Sequence, residues 1–183
     1  MDFSSLFNQA MALSTMGAHV GIVAIVLAAT LFREQSRPLL SWLGKHALWL
    51  ILFVTLGSVV GSLIYSEVVG YPACSLCWWG RIFLYPQLVI VGVALWKKRH
   101  DVDVYLWPLT VLGAIVALYN VYIQYGGKEF FACASTEVSC AQRFVFEFGY
   151  ITIPMMALTS FALIALLLWL QKDGGESEHN AHH

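Results

Sequence analysis

The sequence predicts an all-α membrane protein: a four-helix transmembrane bundle preceded by one additional N-terminal transmembrane helix. Three observations carry that expectation. Hydrophobic residues make up 59% of the 183 positions and charged ones only 11%, whereas soluble domains are nearer about 25% charged. The mean hydropathy is +0.71. The apolar residues are gathered into five runs, each close to the roughly 20 residues that a helix needs to cross a bilayer. A net charge of −1 gives no reason to expect nucleic acid as a partner, and no GxxxxGK[ST] phosphate loop occurs.

The first run lies at about 14 to 32, and the only charge before it is Asp2. A cleaved signal peptide begins with a basic region, so this span is expected to stay in place. The connection after it carries Arg33, Arg37 and Lys45. The second run, at about 47 to 66, leads into a connection at 67 to 78 without Lys or Arg. The third, at about 79 to 96, ends on Lys97, Lys98 and Arg99. The fourth covers about 104 to 124, and the fifth about 149 to 170. Between these two, residues 125 to 148 hold Lys128 and Arg143 against Glu129, Glu137 and Glu147.

Lys and Arg in short connections are retained on the cytoplasmic side. The connections after the first and third spans therefore face the cytoplasm, as does the C-terminus, and the N-terminus lies outside. Losing the first span would leave the orientation of the other four unchanged. The division that follows is 1–45 for the extra helix and its connection, 46–171 for the four-helix bundle and 172–183 for a tail. That tail, KDGGESEHNAHH, is polar, contains glycine and lacks apolar periodicity, which predicts disorder. Its histidines His179, His182 and His183 read as a solvated end, with a weak metal-binding tail as the alternative.

All four cysteines, Cys74, Cys77, Cys133 and Cys140, fall in the two outward connections and none in an apolar run. Outside the cytoplasm disulfides form and persist, so Cys74/Cys77 and Cys133/Cys140 are candidate bridges. The second pair would serve as a loop staple or as a redox pair. The first closes a loop over two residues, which constrains little of an unfolded chain. A CxxC at a helix start or beside a positive charge is instead a redox device.

Arg81 stands four residues after Cys77 in PACSLCWWGR, hence on the same helix face one turn deeper. A guanidinium stays charged, and its burial costs roughly 2.5 to 3.5 kcal/mol at a span centre, less near an end. A negative partner is expected, either a Cys77 thiolate or an anionic reduced cofactor. The alternative is an arginine that snorkels to the interface. Trp78 and Trp79 read as interfacial anchors or as contacts to a ring-shaped cofactor. Nine residues separate Gln124 from Cys133, a reach of up to ~30 Å, so the second pair can approach the CxxC. Pairs within mutual reach exchange by thiolate attack.

YPACSLCWWGRIFLYP, the paired cysteines in a later outward loop and FEFGYITIPMMALTSF together resemble the DsbB/BdbC family of disulfide bond formation proteins, over roughly residues 45 to 170. The short spacing of the loop pair looks more like the BdbC branch. The most specific feature is CxxC followed four residues later by Arg on the same span. The resemblance implies an integral membrane thiol oxidase of the bacterial cytoplasmic membrane. A soluble thioredoxin-like oxidase of the DsbA kind would attack the Cys133 to Cys140 disulfide, with Cys133 forming the mixed disulfide. Cys74 would exchange with the loop pair, Cys77 would meet a quinone, ubiquinone or menaquinone, and Arg81 would stabilise the charge. No metal is expected. A partner near about −120 mV is opposed by several kcal/mol if its acceptor is an ordinary disulfide below roughly −300 mV, so a terminal acceptor has to drive the cycle. The additional first span departs from the family's four-helix core.

Several residues stay open at this point. Glu67, Asn120, Tyr122 and Gln124 lie near the outer ends and either line the site or bond helices together. Pro86 and Pro154 are expected to kink their spans, and His19 reads as a helix-packing histidine. Competing readings are a vitamin K epoxide reductase-like or reverse-direction thiol reductase, which usually places its CxxC after the loop pair, and a structural Cys₄ zinc site. A transporter reading lacks paired discontinuous half-spans.

Overall fold

The computed structural model describes residues 2–99, 101–128 and 139–180, without the side chains of Arg33 and 173–180. Helix α1 spans Phe3–Thr30, α2 Arg33–Lys45, α3 Ala47–Leu63, α4 Ser75–Trp96, α5 Asp103–Gln124 and α6 Ile153–Asn180. A π-helical turn, Ile64–Val68, extends α3. Five of these elements are long and apolar enough to cross a membrane. The expected all-α architecture of four bundle helices plus one is what is seen. Among the described residues the only β feature is an isolated bridge, Glu147 to Ile151.

Helices α3, α4, α5 and α6 form a closed ring in which each packs on its two neighbours. Helical periodicity explains the ring. Leu48, Ile51, Thr55 and Val59 recur every three or four residues along α3 and are buried. Arg81, Leu84, Gln87, Val91 and Ala94 do the same on α4, as do Leu106, Thr110, Gly113, Ala117 and Asn120 on α5. In α6, Phe161, Ile164 and Leu168 fill the centre. The ring of Phe161 lies where a Cβ on Gly113 would stand, so glycine is what lets α5 and α6 approach. In a membrane such small-residue contacts replace the hydrophobic drive that lipid removes.

Helix α1 starts at Phe3 rather than near residue 14. The polar residues of FSSLFNQA hide this first part from a hydropathy reading, but Asn8 and Ala12 are buried, so the segment is held by the protein. Helix α2 was not expected. It is a short helix with an exposed Glu34–Arg37 pair at 2.7 Å, and Gly44 brings it against the Leu170 carbonyl of α6. Pro154 is the second residue of α6. No N–H is needed there, so the kink expected from it is not required, while Pro86 does stand inside α4. The backbone of α6 continues helically to Asn180, although the sequence from Lys172 predicts disorder. His179 thus lies on helical backbone, and His182 and His183 fall outside the described residues.

Candidate functional site

At the end of the bundle where α4 begins, the chain turns through Tyr71 to Ala73 into Cys74, the N-cap of α4. Cys74 is extended, with φ −68° and ψ 166°, and its Sγ accepts the Cys77 N–H at 3.3 Å. Four N–H groups at a helix start lack internal partners, and a sulfur that fills one of these roles is drawn toward its anionic form. Cys74 and Cys77 are both free thiols, with sulfurs 2.7 Å apart. The Cys74 thiol is pulled down to about 6. The bond from the Cys77 thiol contributes most, helped by the Cys77 and Leu76 N–H groups and the Asn120 amide and opposed by burial. Asn120 of α5 aims its Nδ2 at both sulfurs, 3.9 Å from Cys74 and 3.8 Å from Cys77.

The loop after α5 brings Cys140 to the same place. Cys140 is disulfide-bonded and 1% exposed, and it packs in one cluster with Cys74, Ile123 and Leu76. Its Sγ lies 3.7 Å from the Ser75 hydroxyl, one residue from Cys74. Cys133 falls outside the described residues. The loop is held by Arg143, which donates from Nε to the Gln124 carbonyl at 2.8 Å, also through Nη2. It stands over the rings of Tyr125 and Phe146. Gln124 returns a bond from Nε2 to the Gln142 carbonyl at 3.2 Å. Farther on, the tight turn between Glu147 and Ile151 needs left-handed backbone at Phe148 and Gly149, with φ 50° and 78°.

Arg81 does not snorkel: it is 9% exposed. Neither is it paired with the Cys77 sulfur. Nε donates to Ser62 Oγ at 2.8 Å and Nη2 to the Ser62 carbonyl at 3.0 Å, with the Trp78 ring 5.1 Å away. Among the described residues no carboxylate pairs with it. Trp78 and Trp79 are otherwise exposed, at 56% and 52%, as interfacial anchors are.

Two cavities meet at Cys77 and Arg81. The outer one is lined by the loop, through Tyr71, Pro72, Ser139, Gln142 and Phe144. The inner one is a mostly apolar groove, bordered by Cys77, Arg81, Asn120, Met156, Ser160 and Met11. Small-molecule sites combine apolar walls with a few placed polar groups. The groove has both: the Arg81 guanidinium and the Asn120 Nδ2 are N–H donors on its wall, and a flat, apolar two-electron acceptor with carbonyl oxygens would fit that donor set.

Of the polar residues left open by the sequence, Asn120 joins the site and Gln124 borders its outer cavity. Glu67 is exposed, bonded only to Ser66, and Tyr122 packs on Gly127. Ser62 and Ser75 escaped sequence reading because serine is an ordinary helix-packing residue in membranes. Among the described residues no cluster of three or more His, Cys, Asp or Glu could hold a metal, and the disulfide at Cys140 removes it from a four-thiolate set.

A free thiol pair capping a membrane helix, with a disulfide-bonded cysteine packed against it, defines a membrane dithiol oxidoreductase. The comparisons agree. The family described as disulfide bond formation protein DsbB matches residues 44–171. The chain is 30% identical over 134 residues to a probable disulfide formation protein C 2 of Bacillus cereus, covering 73% of this chain and 96% of that one. It is 33% identical over 135 residues to disulfide bond formation protein C of Bacillus subtilis, 73% and 94% of the two chains. With a probable disulfide formation protein of Chlamydia pneumoniae it shares 30% over 135 residues, 73% and 97%. No solved structure matches. The chain belongs to the DsbB family of disulfide bond formation proteins and is a disulfide-forming membrane oxidoreductase.

Proposed function

We propose that the protein reoxidises a soluble extracytoplasmic thioredoxin-like dithiol oxidase and passes the electrons through Cys133/Cys140 and then Cys74/Cys77 to membrane quinone. The observation that carries this reading is the sequence of groups from loop to lipid: Cys140 packed on Cys74, Cys74 beside Cys77, and Cys77 on the wall of an apolar groove with a buried guanidinium. Both pairs lie outside the cytoplasm and the C-terminus lies inside, in the bacterial cytoplasmic membrane. The basic residues Lys97, Lys98 and Arg99 at the far end of α4 support that orientation.

In the cycle, a thiolate of the reduced partner attacks Cys133, breaking its bond to Cys140. The partner's second thiol then closes the partner's disulfide and releases Cys133. Cys140, as thiolate, attacks Cys74 of the oxidised pair, and Cys77 leaves as thiolate beside the Asn120 amide. Cys133 attacks Cys140 in turn, which restores the loop bridge and frees Cys74. The net result is one partner disulfide formed and two electrons resting on Cys74/Cys77, with the partner's two protons released. Quinone supplies a lipid-soluble acceptor for two electrons and two protons, and both ubiquinone and menaquinone have that chemistry. Arg81, Cys77 and Asn120 are the residues that would hold it. Arg81 supplies fixed positive charge where negative charge develops, a role that needs no reorganisation in a low-dielectric site.

The relay is tested by trapping. In Cys77→Ser, Cys74 has no partner within its own pair and attacks the loop bridge. Peptide mapping without reductant is expected to find a Cys74–Cys140 disulfide. If Cys74 stays a free thiol in that variant, and Cys74→Ser still oxidises the partner at the wild-type rate, the two pairs do not exchange and the reading fails.

A further inference from the structure

The extra helix α1 lies before residue 44, where the family match begins, yet it is built into the groove. Its buried or half-buried positions Asn8, Met11, Ala12, Thr15 and His19 recur at helical spacing along one face. The other side carries exposed Leu6, Leu13, Val20 and Leu27. Three contacts fix the face. Phe7 meets the Tyr65 ring edge-on at 5.0 Å, and Tyr65 borders both cavities. His19 bonds Thr159 of α6 at 2.7 Å through Nε2 and the Tyr150 hydroxyl at 3.3 Å through Nδ1. Met11 stands on Gly61 of α3, so closely that a Cβ there would come within 2.7 Å of the Met11 methyl.

We infer that α1 is a fifth wall of the acceptor site and that Met11 is a specificity-determining residue for the quinone ring. The inference rests on the reading of the groove as a quinone site. Met11 borders the same groove as Cys77 and Arg81, and its methyl rests against Gly61 of α3. A methionine there is flexible and polarisable, and its thioether makes favourable contacts at ring edges. Its side chain therefore sets how wide a ring, and how bulky a ring substituent, the groove admits. The hydroxyl pair Ser58–Ser160, 2.8 Å apart, ties α3 to α6 beside it.

The test uses the full chain in lipid nanodiscs. A quinone bearing a ring azide is photolysed with the protein, with and without excess unlabelled quinone, and labelled peptides are mapped by mass spectrometry. Label on the α1 peptide containing Met11, suppressed by the competitor, is the expected result. In parallel, quenching of tryptophan fluorescence gives the quinone Kd. Met11→Ala is expected to raise it by roughly threefold or more, in keeping with what one or two methylene-sized contacts contribute to discrimination. Met11→Leu, close in volume, is expected to stay within about twofold. If quinone binds, labels α3 or α4 but never α1, and Met11→Ala binds as the wild type does, this inference falls alone. A wild type that binds no quinone overturns the quinone reading and this inference together.

Discussion

Two residues tune the thiol chemistry of the proposed relay, and each makes a separate prediction. Cys74 owes its low thiol pKa, about 6 against an ordinary 9.0, first to the Cys77 thiol. A depressed pKa stabilises the folded reduced protein fully above about pH 9, progressively less toward pH 6, and not at all below. Ultraviolet thiolate absorbance of the reduced protein, with Cys74→Ser as the blank, is expected to titrate near 6. A midpoint near 9 contradicts the hydrogen-bond geometry. Asn120 holds its amide at 3.8 to 3.9 Å from both sulfurs, long enough that it acts as a weak donor. Asn120→Ala is expected to lower the Cys74/Cys77 potential by roughly 1 kcal/mol, or about 20 mV for two electrons, in a glutathione redox titration. Asn120→Asp, which sets a carboxylate beside the thiolate, lowers it further. That Cys74 and Cys77 stand side by side, with Arg81 one turn deeper, was legible from their spacing. Asn120 was visible only as one of four polar residues near the outer ends, because nothing in a linear sequence tells which helix of a bundle turns which face inward. The Ser62 contact of Arg81 was hidden for the same reason.

At the scale of elements, the ring of four helices rests on close approaches that single methyl groups would break. Gly113 faces the Phe161 ring without room for a Cβ. Gly113→Ala is expected to destabilise the bundle by about 1 to 3 kcal/mol, seen as a lower Tm in detergent, whereas Gly17→Ala on α1, with nothing within 4 Å, leaves it unchanged. Equal Tm values for the two variants would show that α5 and α6 are not packed this way. The five spans were readable because hydropathy reports length and burial in lipid directly. Helix α2 and the first part of α1 were not readable, because Asn8, Gln9, Glu34 and Arg37 dilute their apolar residues below what a hydropathy reading marks. The expected kink at Pro154 failed for a positional reason: the boundary of α6, which hydropathy places only loosely, puts that proline in the first turn.

For the whole molecule, the arrangement separates two solvents. The loop end carries Ser139, Gln142 and Phe144 around the outer cavity, where, in the proposed relay, a water-soluble dithiol would arrive. The groove below is lined mainly by apolar side chains, where a lipid-soluble acceptor can leave. Cys77 and Arg81 stand on the boundary of both. In the proposed relay, electrons cross that boundary by exchange between neighbouring sulfurs. The most direct measurement is anaerobic quinone reduction by the purified protein in detergent, supplied with a reduced thioredoxin-like dithiol protein. Wild type is compared with Cys77→Ser and Cys133→Ser. Quinol formed by the wild type and lost in both variants is the predicted result. Quinol that persists without Cys133, or none at all across ubiquinone and menaquinone despite an intact loop disulfide, would contradict a relay from loop pair to CxxC to membrane acceptor.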